Sequence, residues 1–328
     1  MRLRLVQLPA NPAYGLAAAV QELVRRQFLH AKASNAHTLL SMYVQPPPPT
    51  IIAFTPTPTY TLGRRQSLEL LTDDERARLQ APLESLGANY APAIEESARG
   101  GLTTYHGPGQ AVIWPVIDLK APQFQNYGAL TPLTVRAYSR LLETTTQDVL
   151  KRRFGLDVYT TDEPGLWIQS PRRRASNQRE PNQADVDSAK TEKTEKIEKI
   201  EETEERKIAA LGVHLRRNIS ALGVAVNLDT PVTRAPATNN TASPSNPWKR
   251  FVPCGIEGKG VSCVADEARL RFGGHVPESW DLSAASFASK WAAAFAQRLG
   301  LAEMEVDIAD AETVRQLVAH AEELLSVD

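Results

Sequence analysis

The residues best suited to chemistry lie in three short stretches. In Phe251-Val-Pro-Cys-Gly-Ile-Glu-Gly-Lys-Gly-Val-Ser-Cys-Val264, Cys254 sits between a proline and a glycine. Those neighbours hold its backbone in a turn and leave the sulfur facing a cleft. A thiolate attacks acyl groups well, but at an ordinary pKa of about 8.5 only a few per cent is ionised at neutral pH. Cys254 therefore needs a positive charge beside it. The candidate is Lys207, at the mouth of the apolar strand Lys207-Ile-Ala-Ala-Leu-Gly-Val213, where an ammonium would stabilise the thiolate. Taken alone, that lysine is an ordinary charged strand start. Cys263 stands among apolar residues and is expected to pack in the core.

The third stretch is Arg99-Gly-Gly-Leu-Thr-Thr-Tyr-His-Gly-Pro-Gly-Gln110, directly before the apolar run Ala111–Leu119. Its glycines let the backbone approach a ligand and aim N–H groups at it. His106 could orient a substrate or carry a proton. The bland alternative is a tight strand connection with a packed histidine. Gly212 and Gly223 would leave room for an alkyl chain between two strands.

These stretches, in this order, resemble the lipoyl(octanoyl) transferases, of the biotin/lipoate protein ligase catalytic-domain superfamily. That family's pattern is Arg-Gly-Gly-x-x-Thr-Tyr-His-Gly-Pro-Gly-Gln, then Lys-Ile-Ala-x-x-Gly, then Gly-x-Ala-x-Asn, then Pro-Cys-Gly. Here they stand at Arg99–Gln110, Lys207–Gly212, Gly223-Val-Ala-Val-Asn227 and Pro253–Gly255, and Gly63-Arg-Arg65 and Pro164-Gly-Leu-Trp167 also resemble family positions. The resemblance implies that Cys254 carries the acyl thioester and that Lys207 lowers its pKa. It implies an acyl pocket lined by Arg99, Gly100, Gly101, Leu102, Thr103, Thr104, Tyr105 and His106, by Ala210, Leu211 and Gly212, and by Gly223, Val224 and Ala225. The implied reaction moves an octanoyl group from octanoyl-acyl-carrier protein to a lysine of a lipoyl domain, in 2-oxoacid dehydrogenase complexes or the glycine cleavage H protein, with no cofactor or ATP. One position departs from the pattern: Leu222 stands where the family usually has a histidine, leaving His106, His214 or water to serve in its place.

The elements that must position these residues read as one α/β (α+β) domain over 1–328, a mixed central sheet flanked by helices, like the catalytic domain of the biotin and lipoate ligases. Strands are expected at Arg2–Leu8, Thr38–Val44, Ile51–Phe54, Gln110–Leu119, Ile208–Arg216 and Ile219–Leu228. Helices are expected at Asn11–Arg26, Asp73–Leu86, Leu133–Phe154, Ala284–Leu299 and Ala311–Leu324. Two low-complexity insertions interrupt the pattern, at about 169–206 and 234–249. The first opens on Arg172-Arg-Arg174, runs into Glu/Lys triplets and can bury almost nothing, so Lys207 would become ordered only in a complex.

Composition narrows the function classes. The 328 residues are 42% hydrophobic and carry a net charge of −1, so a core is expected but no basic field for nucleic acid. No apolar run reaches the roughly 18 residues of a membrane span. Two cysteines make no disulfide framework, and six scattered histidines make no metal site. Arg64-Arg65 is the expected docking point for acidic protein substrates, and Arg172–Arg174 a weaker one. Residues 1–21 mildly resemble a mitochondrial presequence, and the expected compartment is the mitochondrion, or the cytoplasm for a bacterial chain. The competing readings are an ATP-dependent lipoate or biotin ligase, and a non-catalytic protein that binds acyl carriers or lipoyl domains.

Overall fold

The computed structural model describes residues 2–9, 11–35, 44–85, 88–121, 133–171, 203–232, 242–252, 259–299 and 305–326. Its frame is a mixed sheet built from alternating apolar runs. Strand β8 (Gln110–Val116) is buried along its whole length and sends alternate residues to two cores. Ala111 and Ile113 face one core, while Val112, Trp114 and Val116 face the other. Around it lie β1 (Arg2–Gln7), β2 (Thr50–Phe54), β9 (Leu166–Pro171), β10 (Thr203–Arg216), β11 (Ile219–Asn227), β12 (Gly260–Val261) and β13 (Glu305–Ile308). Their order is β12-β10-β11-β8-β2-β1-β13, with β9 paired to β10. β1 runs parallel to β2 and β13, whereas β2–β8, β8–β11, β10–β11 and β9–β10 are antiparallel.

Helices cover both faces. α3 (Val135–Phe154) and α5 (Ala284–Arg298) bury Tyr138, Leu142, Phe287 and Trp291 on one side, and α1 (Tyr14–Asn35) and α6 (Ala311–Leu325) bury Val20, Phe28, Val314 and Ala321 on the other. The helix ends obey local chemistry. Thr134 caps α3 by accepting from the Ala137 N–H, and Gly155 closes it in a left-handed conformation. A second sheet, β6-β3-β7 (Ala93–Glu96, Thr59–Leu62, Thr104–His106), stacks Tyr60 and Tyr105 on Trp248 and Phe251. Remaining elements are α2 (Asp73–Gln80), the hairpin β4–β5 (Leu83–Ser85, Ala88–Tyr90) and α4 (Val264–Arg271).

Several expectations change. The helix expected over Asp73–Leu86 stops at Gln80, because Pro82 forces Ala81 into extended backbone and the chain turns into β4. The first helix begins at Tyr14 rather than Asn11 and runs on to Asn35. The insertions are narrower than expected. Residues 169–171 and 203–206 pair with each other in β9 and β10, and Trp248 and Arg250 at the edge of the second insertion are buried. Lys207 thus sits inside a 14-residue strand rather than at its mouth. Most of the strand expected at Thr38–Val44, and Arg172–Arg174, lie outside the described residues. Among the described residues no helix is long and apolar enough to cross a membrane, and no group of His, Cys, Asp or Glu could hold a metal ion.

Candidate functional site

Two connected hollows lie between β7, β10, β11 and the start of α1. The inner one is narrow, about 40 Å³. Its walls include Thr104 and His106, Ala210, Leu211 and Gly212, and Gly223, Val224 and Ala225, together with Tyr14, Trp114 and Leu222. The outer cleft is wider, about 560 Å³, and holds Lys207, Gly100, Gly101, Pro164, Arg64 and Arg65. Arg99, Leu211 and Gly212 border both.

Two glycines beside these hollows admit close neighbours. Gly212 and Gly223 are cross-strand partners. A Cβ on Gly212 would lie 2.9 Å from Cδ of Arg99, and one on Gly223 would lie 2.2 Å from the Ile113 carbonyl oxygen. Nothing but glycine fits at Gly223, and Arg99 lies flat over Gly212.

Arg99 is buried and organises the loop ahead of β7. Its guanidinium donates to the Gly100 and Leu102 carbonyls at 3.1 and 2.7 Å, and to the carbonyl and hydroxyl of Thr61 at 2.6 and 2.9 Å. Gly101 makes the loop possible with φ +87°, where a side chain would be strained. Strand alternation then divides β7. Thr104 and His106 face the inner pocket. Tyr105, expected there too, points the other way, its ring 5.4 Å from Tyr60 and 5.6 Å from Trp248. Leu102 and Thr103 also stay off the walls; Thr103 donates to Gln66 instead.

His106 stacks on Tyr14 with ring centroids 5.4 Å apart, and its Nδ1 has no hydrogen-bond partner among the described residues. Burial, helped by the Arg99 charge, pushes its pKa down to about 3, so the imidazole is neutral near pH 7. It can accept or donate a hydrogen bond there, but it is no imidazolium acid. Burial likewise lifts the Tyr14 phenol to about 12. His214 lies elsewhere, half-buried with Nδ1 3.4 Å from the Arg25 guanidinium.

Lys207 is held firmly, contrary to the expectation that it orders only in a complex. Its Nζ donates to the Pro164 carbonyl at 3.0 Å and lies 4.6 Å from the Trp167 ring centroid. Lys259 takes up the same distance from that ring and pairs with Glu163 and Glu205. Cys254 lies outside the described residues, but the chain on both sides of residues 253–258 is anchored. Phe251 packs on Tyr60, and Gly260 and Val261 pair with Arg206 and Lys207. Cys263 is buried, as expected, and burial raises its thiol to about 12.

A buried polar chain ties the motifs together. Gln110 donates to Asn227 at 2.8 Å, Asn227 donates to the Ser262 carbonyl at 2.9 Å, and the Ser262 N–H donates to the Lys207 carbonyl at 2.9 Å. Sequence reading placed Gln110 and Asn227 in motifs without giving them this role; the available signal was a polar residue at the end of each apolar strand. It missed Tyr14 and Trp114 altogether, since an aromatic on an apolar face reads as core.

The model of the lipoyl protein ligase A/B catalytic domain matches residues 31–296. A Schizosaccharomyces pombe protein named "Probable octanoyltransferase" is 30% identical over 260 residues, covering 78% of this chain and 83% of its own. A mitochondrial octanoyl-acyl-carrier-protein:protein N-octanoyltransferase of Danio rerio is 28% identical over 67% of this chain and 68% of its own. The fold is shared with a lipoate-protein ligase A bound with ATP, at TM-score 0.52, 13% identity and coverage of 98% and 94%. With the family model covering most of its length, this chain belongs to the lipoyl protein ligase A/B catalytic domain family.

Proposed function

We propose that this protein is an octanoyltransferase of protein lipoylation, moving an octanoyl group from octanoyl-acyl-carrier protein to a lipoyl-domain lysine through a thioester on Cys254. The observation that carries this reading is the junction, at Arg99, Leu211 and Gly212, of a narrow pocket with a cleft that presents Lys207. Gly260 and Val261, six residues or more beyond Cys254 in the chain, pair with the strand of that same lysine.

In the first step the Cys254 thiolate attacks the thioester carbonyl, and the carrier's pantetheine thiolate leaves with a proton given up by the Lys207 ammonium, which becomes the neutral amine. Lys207 favours the attacking thiolate through its charge. Backbone N–H groups near Gly100, Gly101 or Cys254 hold the developing oxyanion, worth typically about 3–4 kcal/mol. In the second step the acceptor amine attacks the acyl-enzyme, an amide forms, the Cys254 thiolate departs, and Lys207 assists by taking the amine proton. Exchanging one thioester for another is nearly isoenergetic, so no ATP enters; amide formation makes the transfer downhill. Arg64 and Arg65, exposed at the rim of the cleft, dock the acidic carrier. The mitochondrial relatives support a mitochondrial setting.

Intact-mass spectrometry after mixing with octanoyl-acyl-carrier protein tests the mechanism. An octanoyl adduct that disappears in Cys254→Ser is the expected result. Transfer that requires free octanoate and ATP instead would make the protein a ligase and reject this reading.

A further inference from the structure

Leu222 breaks two rules of its strand. It has φ +62°, a backbone conformation that a bulky residue rarely adopts. It also leaves the alternation of β11, in which Val224 and Val226 face the core under α3 and α5 while Ile219 and Ala225 face α1. By parity Leu222 belongs with Val224. Instead it packs with Ile219, Ala225, Tyr14 and Trp114. The left-handed backbone has swung its side chain onto the α1 face, where it lines the inner pocket.

The sheet makes room for this. The β8–β11 ladder ends at the pair Ile113–Val224, just before Pro115, which has no N–H to offer. Ser220 mends the gap, accepting from the Ile117 N–H and donating to the Pro115 carbonyl. A strained residue at a pocket wall, where an in-register leucine would have pointed away, marks a functional placement. Leu222, with Tyr14 and Trp114, lines the inner pocket away from the cleft that holds Lys207.

We propose that Leu222 forms the closed end of the acyl pocket and sets the longest chain the enzyme accepts. The proposal rests on the reading of the inner hollow as an acyl pocket. A leucine at this wall excludes the methylenes beyond the octanoyl group by occupying their space, and an apolar wall rejects extra length only through volume. Removing its side chain therefore lengthens the accepted chain without altering the chemistry at Lys207.

The test uses Leu222→Gly, which suits the left-handed backbone and so keeps the fold, and Leu222→Phe. With wild type and both variants, kcat/KM is measured for octanoyl, decanoyl and dodecanoyl carrier protein with a lipoyl domain as acceptor. Binding of the free C8, C10 and C12 acids is measured in parallel by calorimetry. The decanoyl-to-octanoyl ratio should rise about tenfold or more in Leu222→Gly and fall in Leu222→Phe. A binding ratio in Leu222→Gly within twofold of wild type overturns the proposal. If no carrier supports transfer but the binding ratio still shifts, the octanoyltransferase reading fails and the length-setting wall stands.

Discussion

Arg206 and Lys207 are neighbours on one strand, yet they face opposite sides of the sheet and meet different electrostatics. The Arg206 side chain is fully buried and pairs with Asp266 at 3.0 Å and Glu267 at 3.4 Å, while also donating to the Val261 carbonyl. Glu267 in turn accepts from Ser170 and Ser262. That cluster matches charge with charge and locks α4 and β12 against β10. Lys207, on the cleft side, meets a carbonyl dipole and an indole face. Such partners seat the ammonium on the cleft side. The contrast sets a buried cation braced by carboxylates within the fold against one seated by a carbonyl and an indole face beside the cleft.

Five substitutions would break or sharpen that contrast. The largest effect is expected for Lys207→Met, with transfer falling by about 10²- to 10⁴-fold while the thermal midpoint stays near that of wild type. A variant within tenfold of wild-type kcat/KM would remove Lys207 from the chemistry. Arg206→Met should do the reverse. Leaving Glu267 and Asp266 without their guanidinium is expected to cost about 3–5 kcal/mol in denaturant unfolding. A loss below about 1 kcal/mol would mean that the cluster is not what braces this strand.

His106 supplies a pH test on the cleft side. Its pKa is about 3 in the folded chain, against about 6.5 when unfolded, so between those values the unfolded chain binds the extra proton. The stability it permits is present above about pH 6.5 and declines as the pH falls toward 3, by about 1.4 kcal/mol for each pH unit. His106→Gln should flatten that part of the stability curve; an unchanged curve would place the acid sensitivity elsewhere. The smallest effect is expected for Trp167→Leu, which removes the indole under Lys207 and should lower kcat about two- to thirtyfold. Trp167→Phe, which keeps a π-face, should recover part of the loss, and equal losses in both would assign Trp167 to packing alone.

Much of the site was legible in the sequence because its chemistry is local. Glycines that must admit another backbone and a histidine beside a Gly-Pro-Gly turn announce themselves within a dozen residues. Tyr105 shows the limit. It belongs to the same run as Thr104 and His106, but strand alternation sends its ring to the opposite side. The overlong helix over Asp73–Leu86 is another case, since its apolar spacing continued past a proline that ends it.

From the sequence alone came the family pattern, the apolar strands of the sheet, and the residue types for acyl chemistry, because each depends on neighbours along the chain. Tertiary structure alone decided which faces meet. It stacked Tyr14 on His106, laid Arg99 across Gly212, and joined Gln110, Asn227 and Ser262 to Lys207. It also made Leu222, which the sequence marked only as a departure from the family pattern, a strained pocket wall. The physical reason is that burial, charge pairing and strand register are properties of surfaces brought together, and those surfaces come from segments far apart in the chain.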